Sequence, residues 1–263
     1  MTPKFIAIVP ARAASTRLPN KMLAPLGEHP LVVHTALRAL RSSAQEVYVA
    51  TDDPQIYEAV AAAGIQVLMT RNDHPSGTDR LAEAVQQLDL DEQTIVVNVQ
   101  GDEPFIDPAL IDQAALCLHQ HSQASIATCA YPIASYEQLC NTDTVKVVCA
   151  QNGQALYFSR APIPWSREAF KQAPAQWPED IPAYHHIGLY AYRTHFLKKF
   201  PQLPQGQLER HECLEQLRAL EQGYQIQVFI CATPPAPGID NAQDLAKARD
   251  YFAQLKHQQS QVK

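Results

Sequence analysis

The sequence predicts an α/β fold whose first half forms a parallel, doubly wound sheet. Short apolar runs of strand length alternate with helical patterns from residue 5 to residue 99. The first of these runs, residues 5–9, has no alternation of polar and apolar residues, which is typical of a strand buried on both faces. Alternation of strands and helices favours β–α–β crossovers and therefore a parallel sheet.

The first half contains four predicted strands and three predicted helices. Gly64 ends the second helix, and Ser76-Gly77-Thr78-Asp79 fits the capping-box pattern that begins the third. The predicted strands are residues 5–9, 46–51, 66–69 and 94–99, and the predicted helices are residues 31–44, 55–63 and 76–90.

The second half has a different pattern, in which strands predominate. Asn152-Gly153 between two of them is a strong hairpin signal. Five prolines mark residues 161–183 as a loop or a lid. The predicted strands are residues 125–131, 144–150, 155–159, 187–192 and 224–231, and the predicted helices are residues 208–222 and 242–255. We expect one domain, residues 1–263, in which the half from 125 to 263 extends the sheet of the half from 1 to 124.

Composition excludes several classes of function. The net charge of −6 over 263 residues gives no overall basic field, so nucleic acid is not an expected partner. No apolar run approaches the roughly 20 residues that a membrane helix requires, so no membrane insertion is expected. The first residues leave no room for a usual signal peptide, and the six cysteines include no C-x-x-C pair. These features predict a cytoplasmic protein with reduced thiols.

The loop after the first strand is the candidate phosphate site. Pro10 ends the strand, and the loop carries Arg12, Arg17 and Lys21, with no acidic residue before Glu28. Arginine forks and lysine ammonium groups suit phosphate oxygens, although a solvated basic loop would have the same composition. The nine glycines are too far apart for either common glycine-rich phosphate loop, so a loop of another kind must bind any phosphate.

Two carboxylates are candidate metal ligands. Asp102 follows the strand that ends near Val99, and Asp240 follows the last strand at a turn. Mg²⁺ prefers one or two carboxylates together with substrate phosphates. The alternatives are that Asp102 only shapes a turn before Pro104 and that Asp240 only caps the last helix.

Other polar residues in the second half have two interpretations each. Arg160 could pair with a substrate carboxylate or form a structural ion pair. Glu212, Glu215 and Gln216 lie on one side of a predicted helix, where a solvated face is the simpler interpretation. His185 and His186 alternate along a strand, so at most one of them faces a site. No arrangement supports a covalent nucleophile.

Seven motifs together resemble one family. In order, they are Pro10-Ala-Arg-Ala-Ala-Ser-Thr-Arg-Leu-Pro-Asn-Lys21, Thr70-Arg-Asn-Asp-His-Pro-Ser-Gly-Thr-Asp-Arg80, Asn98-Val-Gln-Gly-Asp-Glu-Pro104, Tyr157-Phe-Ser-Arg-Ala-Pro-Ile-Pro-Trp165, His186-Ile-Gly-Leu-Tyr190, Leu214-Glu-Gln-Leu-Arg218 and Pro237-Gly-Ile-Asp240. The pattern resembles the 3-deoxy-manno-octulosonate cytidylyltransferase (CMP-Kdo synthetase) family from Phe5 to about Phe252. Asn20 stands where many members have glycine.

The resemblance implies a nucleotide-diphospho-sugar transferase-like, Rossmann-like mixed sheet with flanking helices and a smaller sugar and dimerisation lobe. Residues 1–124 would bind nucleotide, and residues 125–263 would bind sugar and form a homodimer. The implied reaction joins CTP to 3-deoxy-D-manno-octulosonate (Kdo) for lipopolysaccharide biosynthesis and releases pyrophosphate. It would proceed by Mg²⁺-assisted in-line attack of the anomeric hydroxyl on the α-phosphate, with Lys21, Asp102 and Asp240 as catalytic residues.

The resemblance also assigns the remaining site residues. Nucleotide would contact Pro10, Ala11, Arg12, Arg17, Lys21, Arg71, Ser76, Gly77 and Gln100; the sugar acid would contact Arg160, His186, Tyr190, Glu215 and Gln216; and Mg²⁺ would be held by Asp102 and Asp240.

Two alternatives stay open. One is a nucleotidylyltransferase for another sugar, either a sialic-acid-like ketoacid or a sugar 1-phosphate; a 1-phosphate would leave Arg160 without a carboxylate to bind. The other is a nucleotide-binding regulator that has lost catalysis, against which both acidic positions and all three loop cations argue.

Overall fold

A computed structural model describes residues 3–13, 15, 17–171, 176–232, 234, 236 and 238–261, and the side chains of these residues up to 254. Its strands are β1 (Phe5–Ala11), β2 (Pro25–Leu26), β3 (His29–Pro30), β4 (Glu46–Thr51), β5 (Gln66–Met69), β6 (Ile95–Asn98), β7 (Ile126–Pro132), β8 (Lys146–Cys149), β9 (Ala155–Ser159), β10 (Tyr184–Arg193) and β11 (Ile226–Ile230). Its α-helices are α1 (Leu31–Ala39), α2 (Pro54–Ala62), α3 (Gly77–Gln87), α4 (Pro108–Gln120), α5 (Tyr136–Cys140), α6 (Thr194–Lys199), α7 (Gln207–Glu212), α8 (Gln216–Glu221) and α9 (Ala242–Gln261).

A nine-stranded mixed sheet organises the molecule. Its main path runs β11-β7-β10-β6-β1-β4-β5, and the β8–β9 hairpin pairs with the start of β10. The four strands that the first half contributes to this sheet, β6, β1, β4 and β5, are all parallel, while β2 and β3 form a separate antiparallel pair. The parallel sheet that the sequence predicts for this half is therefore confirmed.

Strand β10 joins the two halves. It pairs antiparallel with β6 on one side and with β7 on the other, so it extends the first sheet rather than starting a second one. Tyr190 lies opposite Asn98, the last residue of β6. This register brings residues of the second half to the carboxyl edge of the first, where a ligand crevice is expected.

Helices cover both faces of this sheet. One core contains Val33 of α1, Val60 of α2 and Ile111 of α4 against β1 and β6, and these three side chains are fully buried. The opposite core contains Leu81 of α3 and Phe196 of α6, also fully buried. The mixed α/β sheet with flanking helices is thereby confirmed.

The helices differ from the sequence analysis in several places. Three helices, α4, α5 and α6, were not predicted. The longest of them, α4, begins after the Asp107 cap and Pro108. The single helix expected over residues 208–222 is instead α7 and α8, because Cys213 between them adopts a left-handed conformation with φ of 53°. Right-handed helical geometry cannot continue through such a residue. Within the described part of the chain, no helix has both the length and the apolarity needed to cross a membrane.

Candidate active site

A cavity of about 540 Å³ lies at the carboxyl edge of β1 and β6. It is formed by the loop after β1, the start of α3, the end of β6, the middle of β10 and the junction of α7 and α8. Most of the predicted site residues line it, namely Pro10, Arg12, Arg17, Lys21, Ser76, Gly77, Gln100, Asp102, Tyr190, Glu215, Gln216 and Asp240.

One wall of the cavity is a cluster of cations and carboxylates. The side chain of Lys21 is 9% exposed, and its Nζ lies 2.6 Å from Oδ2 of Asp102 and 3.4 Å from Oδ1 of Asp240. Arg17 donates through Nη2 to the same Oδ1 of Asp240 at 3.0 Å. Arg12 lines the cavity beside them. Three loop cations therefore face the cavity together with both predicted metal ligands.

The loop that carries these cations depends on Asn20. Its φ of 54° and ψ of 32° lie in the left-handed region, just before the short 3-10 helix Lys21–Leu23. Glycine adopts this conformation without strain, and asparagine tolerates it better than most other residues. Asn20, which stands where many members of the resembled family have glycine, is therefore of a residue type that permits the turn that buries Lys21.

A second contact holds the start of the same loop. Asp52, just after β4, accepts a hydrogen bond from the backbone N–H of Ala13 at 3.1 Å through Oδ1. Its Oδ2 lies 3.1 Å from Nη2 of Arg80 on α3, and both side chains of this ion pair are largely buried. The carboxylate of Asp52 therefore ties the cationic loop to the helix that forms another wall of the cavity.

Asp240 is not the cap of the last helix. That cap is Asn241, whose Oδ1 accepts hydrogen bonds from the backbone N–H groups of Gln243 and Asp244 at 2.9 and 3.0 Å. The side chain of Asp240 is left to contact the loop cations. The capping alternative raised for Asp240 therefore does not account for its side chain.

The donor set of this wall fits a hard divalent cation. Asp102 and Asp240 share one ammonium group, so a single cation can contact both carboxylates. Across the described residues, no group of three or more His, Cys, Asp or Glu side chains forms a self-sufficient metal cage. Two carboxylates without a third protein ligand match the preference of Mg²⁺ for sites completed by substrate phosphates and water.

The start of α3 forms a second wall. Ser76 is its N-cap, and the Ser76 Oγ accepts a hydrogen bond from the backbone N–H of Asp79 at 3.2 Å. A Cβ at Gly77 would meet no atom within 4 Å, so this part of the wall is open to a ligand. Gln100 donates through Nε2 to the carbonyl oxygen of Gly188 at 3.2 Å, which joins the end of β6 to β10.

A third wall combines aromatic rings with buried polar groups. The hydroxyl of Thr78 donates to Oε2 of Glu215 at 2.8 Å, and burial raises the pKa of the Glu215 carboxyl. Tyr190 lines the same region. Oδ1 of Asn98 and Nε2 of Gln216 are buried without a hydrogen-bond partner. Unpaired buried polar atoms are costly, so this wall is suited to a ligand with hydroxyl groups.

Two predicted residues in the nucleotide group do not line the cavity. Ala11 is fully buried at the end of β1. Arg71 is exposed and pairs with Asp73, with Nε 2.8 Å from Oδ1. Their contacts with nucleotide stay predictions.

Two predicted sugar residues also lie outside the cavity lining. Arg160 donates through Nε to the carbonyl oxygen of Glu212 at 2.9 Å and through Nη1 to that of Thr142 at 3.1 Å. His186 is 7% exposed, and its Nε2 lies 3.0 Å from Oγ1 of Thr128. Burial, with a smaller effect of His185, lowers the pKa of His186 to about 3. Their contacts with sugar also stay predictions.

Sequence reasoning did not assign several cavity residues. Thr78 and Asn98 lie inside quoted motifs, but their roles depend on which side of α3 or β6 faces the cavity. Tyr192 lies in β10 and Phe196 in α6, just after it, and nothing in the sequence distinguished either residue from an ordinary core residue. Only the packing of α6 and α8 against this sheet face places them beside the site.

A family model and a curated relative that match this chain are both cytidylyltransferases. A family model described as cytidylyltransferase matches residues 6–226. A 3-deoxy-manno-octulosonate cytidylyltransferase of Nitrosococcus oceani is 51% identical over 246 residues, which are 93% of this chain and 95% of the relative.

Two solved structures have a fold similar to that of this chain. The structure of a CMP:2-keto-3-deoxy-manno-octonic acid synthetase complexed with CTP superposes with a TM-score of 0.87 at 40% identity, covering 96% of this chain and 99% of that one. A cytidylyltransferase from Leptospira borgpetersenii serovar Hardjo-bovis has a TM-score of 0.59 at 17% identity, covering 95% and 87% of the two chains, and supports the fold alone.

Proposed function

The chain belongs to the cytidylyltransferase family, as a 3-deoxy-manno-octulosonate cytidylyltransferase, and from this premise we propose that it transfers the CMP moiety of CTP to Kdo. The products are CMP-Kdo and pyrophosphate. The observation that carries the proposal is the chemical contrast within one cavity. Arg12, Arg17 and Lys21 face a space whose other side offers the buried, unpaired amide atoms of Asn98 and Gln216.

The cationic side suits the triphosphate. Arg12, Arg17 and Lys21 bring three positive charges to one loop, and arginine and lysine bind phosphate oxygens by complementary means. The polar and aromatic side suits a sugar acid rich in hydroxyl groups. The named relatives act as Kdo cytidylyltransferase and CMP-Kdo synthetase, the latter solved with CTP, which supports the same substrate pair here.

The proposed reaction is an in-line displacement at the α-phosphorus. The anomeric hydroxyl oxygen of Kdo forms a bond to the α-phosphorus and gives up its proton, while the bond to the bridging oxygen of the β-phosphate breaks. The protein's part is to align the two substrates and stabilise the charge that develops. Arg12, Arg17 and Lys21 stabilise the pyrophosphate as it leaves.

Asp102 and Asp240 are proposed to hold Mg²⁺. When bound, the ion would polarise the α-phosphate and lower the pKa of the attacking hydroxyl. Lys21, which lies against both carboxylates, stays available to a phosphate oxygen once they bind another cation.

Further parts of the proposal concern the sugar contacts and the cellular setting. Arg160 and His186 are proposed to act on the sugar side together with Tyr190, Glu215 and Gln216. The enzyme is proposed to work as a homodimer in the cytoplasm and to supply activated Kdo for lipopolysaccharide biosynthesis.

Pyrophosphate release tests the substrate pair. CTP, UTP, ATP and GTP are each offered with Kdo, sialic acid and glucose 1-phosphate, with Mg²⁺ present or removed by a chelator. We expect release only with CTP, Kdo and Mg²⁺ together. Release with a different sugar would overturn the Kdo assignment, and release in the chelated samples would overturn the role of Mg²⁺.

A further inference from the structure

The junction between α7 and α8 contributes four consecutive residues, 213–216, to the cavity lining, and regular helical structure is interrupted between the end of α7 at Glu212 and the start of α8 at Gln216. Cys213 has a left-handed backbone conformation, and Glu215 and Gln216 follow within three residues. Both of these side chains line the cavity, and Nε2 of Gln216 is buried without a partner. The direction in which Gln216 points therefore depends on what holds the junction.

Glu212, the last residue of α7, holds the junction from outside the cavity. Its Oε1 accepts hydrogen bonds from Oγ of Ser159 at 2.5 Å and from the hydroxyl of Tyr157 at 3.4 Å. Its Oε2 accepts from the backbone N–H of Arg160 at 2.8 Å. The backbone carbonyl of Glu212 in turn accepts from Nε of Arg160 at 2.9 Å. One residue thus joins the end of β9 to the end of α7 through four hydrogen bonds.

The far side of the junction is held separately. Oε2 of Glu215 accepts a hydrogen bond from the hydroxyl of Thr78 on α3 at 2.8 Å. Only Cys213 and Leu214 separate these two attachments. With both ends held, the left-handed turn at Cys213 is fixed, and Gln216 enters α8 with its amide toward the cavity.

We infer that Glu212 is a positioning residue for the sugar, acting through the direction of Gln216. Glu212 does not line the cavity and need not touch substrate. The inference rests on the proposed function, since it assigns Gln216 to the sugar. This role replaces the simpler interpretation from the sequence, in which Glu212 belongs to a solvated face of a helix.

Substitution of Glu212 should therefore affect one substrate selectively. Because the carboxylate of Glu212 makes three of the hydrogen bonds that hold the junction, Glu212→Ala should raise KM for Kdo about tenfold or more. KM for CTP should change little. Ser159→Ala removes one of the four hydrogen bonds and should shift KM for Kdo in the same direction by less. Because both residues act through one contact, the double variant should be no worse than Glu212→Ala.

Glu221 provides a matched control on the same pair of helices. Its carboxylate accepts from the backbone N–H groups of Leu208 and Glu209 at 3.3 and 3.4 Å, at the start of α7 and away from the cavity. Glu221→Gln should leave KM for both substrates close to the wild-type values. Equal effects of Glu212→Ala and Glu221→Gln on KM for Kdo would overturn the inference.

Amide hydrogen exchange tests whether the hydrogen bonds of Glu212 hold the junction, without relying on activity. Exchange at residues 213–218 should rise in Glu212→Ala and in Ser159→Ala, and should stay at the wild-type rate in Glu221→Gln. If Glu212→Ala does not fold, Ser159→Ala and Glu212→Gln carry both measurements. Wild-type enzyme that fails to couple CTP to Kdo would overturn the proposed function, whereas unchanged exchange at the junction would overturn the role of Glu212.

Discussion

Lys21 and Asp102, which are 81 residues apart in sequence, form the shortest ion pair of the cationic wall, with Nζ 2.6 Å from Oδ2. The pair links the loop after β1 to the turn after β6. Because Lys21 also reaches Asp240 at 3.4 Å, it brings three separate segments of the chain to one point.

Removing the charge of Asp102 should impair turnover. Loss of one preorganised electrostatic contact, such as a single oxyanion-hole donor, lowers kcat by about 10²–10³, and by analogy we expect an effect of this size for Asp102→Asn. Asp112→Asn, which changes a carboxylate bound to Ser43 at a distant surface, serves as the control. Near-normal turnover of Asp102→Asn at saturating Mg²⁺ would remove Asp102 from the proposed metal site.

Arg160→Ala should raise KM for Kdo far more than KM for CTP. The substitution removes a proposed contact with the Kdo carboxylate, and it also removes the hydrogen bond from Arg160 to the carbonyl oxygen of Glu212. Either loss would raise KM for Kdo. An analogue of Kdo with a carboxamide in place of the carboxylate separates them. If Arg160 binds the carboxylate, wild-type enzyme discriminates strongly against the analogue and Arg160→Ala does not. Equal increases in KM for both substrates would indicate a structural role instead.

Acidification should destabilise the protein through His186. Burial lowers the pKa of this imidazole to about 3, so between that value and the ordinary pKa the unfolded chain binds a proton that the folded protein does not. The free energy of unfolding should therefore fall as pH decreases below the ordinary value. For His186 alone, the loss at pH 5 relative to neutral pH is about 2 kcal/mol.

Urea unfolding at several pH values measures this contribution. His186→Gln keeps a polar group near Thr128 and cannot be protonated, so its stability should fall less than that of wild type between pH 7 and pH 5. His119→Gln, on the exposed side of α4, is the control and should behave like wild type. Parallel pH curves for wild type and His186→Gln would contradict the prediction.

The left-handed residue before Lys21 gives a fourth prediction. Asn20→Ala should lower the free energy of unfolding by about 1 kcal/mol, because a left-handed conformation is costly for a residue with a Cβ and no local polar group. Asn20→Gly should be at least as stable as wild type.

Asp89 offers the matched control for Asn20. It also has a positive φ, 49°, and lies outside the cavity lining. Asp89→Ala should cost a similar free energy without changing KM for CTP, whereas Asn20→Ala should raise it, because Lys21 follows directly. Thermal unfolding and initial-rate kinetics on the same preparations check both statements.

The sequence predicted the parts of the site that follow buried strands. Apolar strands end where polar residues begin, so the strand pattern alone is enough to place the loop cations and Asp102 at one edge of a parallel sheet. The sequence did not predict contacts that depend on a local break in regular structure. The left-handed residue Cys213 divides an apparently continuous helical pattern, and the carboxylate of Glu212, just before it, accepts a hydrogen bond from Ser159.

Arg160 illustrates a second reason for incomplete prediction. A forked side chain at the end of a strand suits either a ligand or backbone carbonyls, and sequence spacing does not distinguish them. Its partner Glu212 is 52 residues away, and their contact results from the position of the junction between α7 and α8 beside the end of β9. Helix α4 was missed for a simpler reason, since its cap at Asp107-Pro108 also fits a turn.

The position of β10 in the sheet also affects where the chain can tolerate insertions and deletions. Because β10 is hydrogen-bonded to a neighbour on each side, the ladders with β6 and β7 set the position of Tyr190. A slip by one residue would turn Tyr190 to the opposite face of the sheet, so the register is strongly constrained. Insertions or deletions between β9 and β10 should therefore alter the connection while leaving Tyr190 in place. The position of this cavity residue therefore depends on the two strand ladders rather than on the length of the connection that precedes β10.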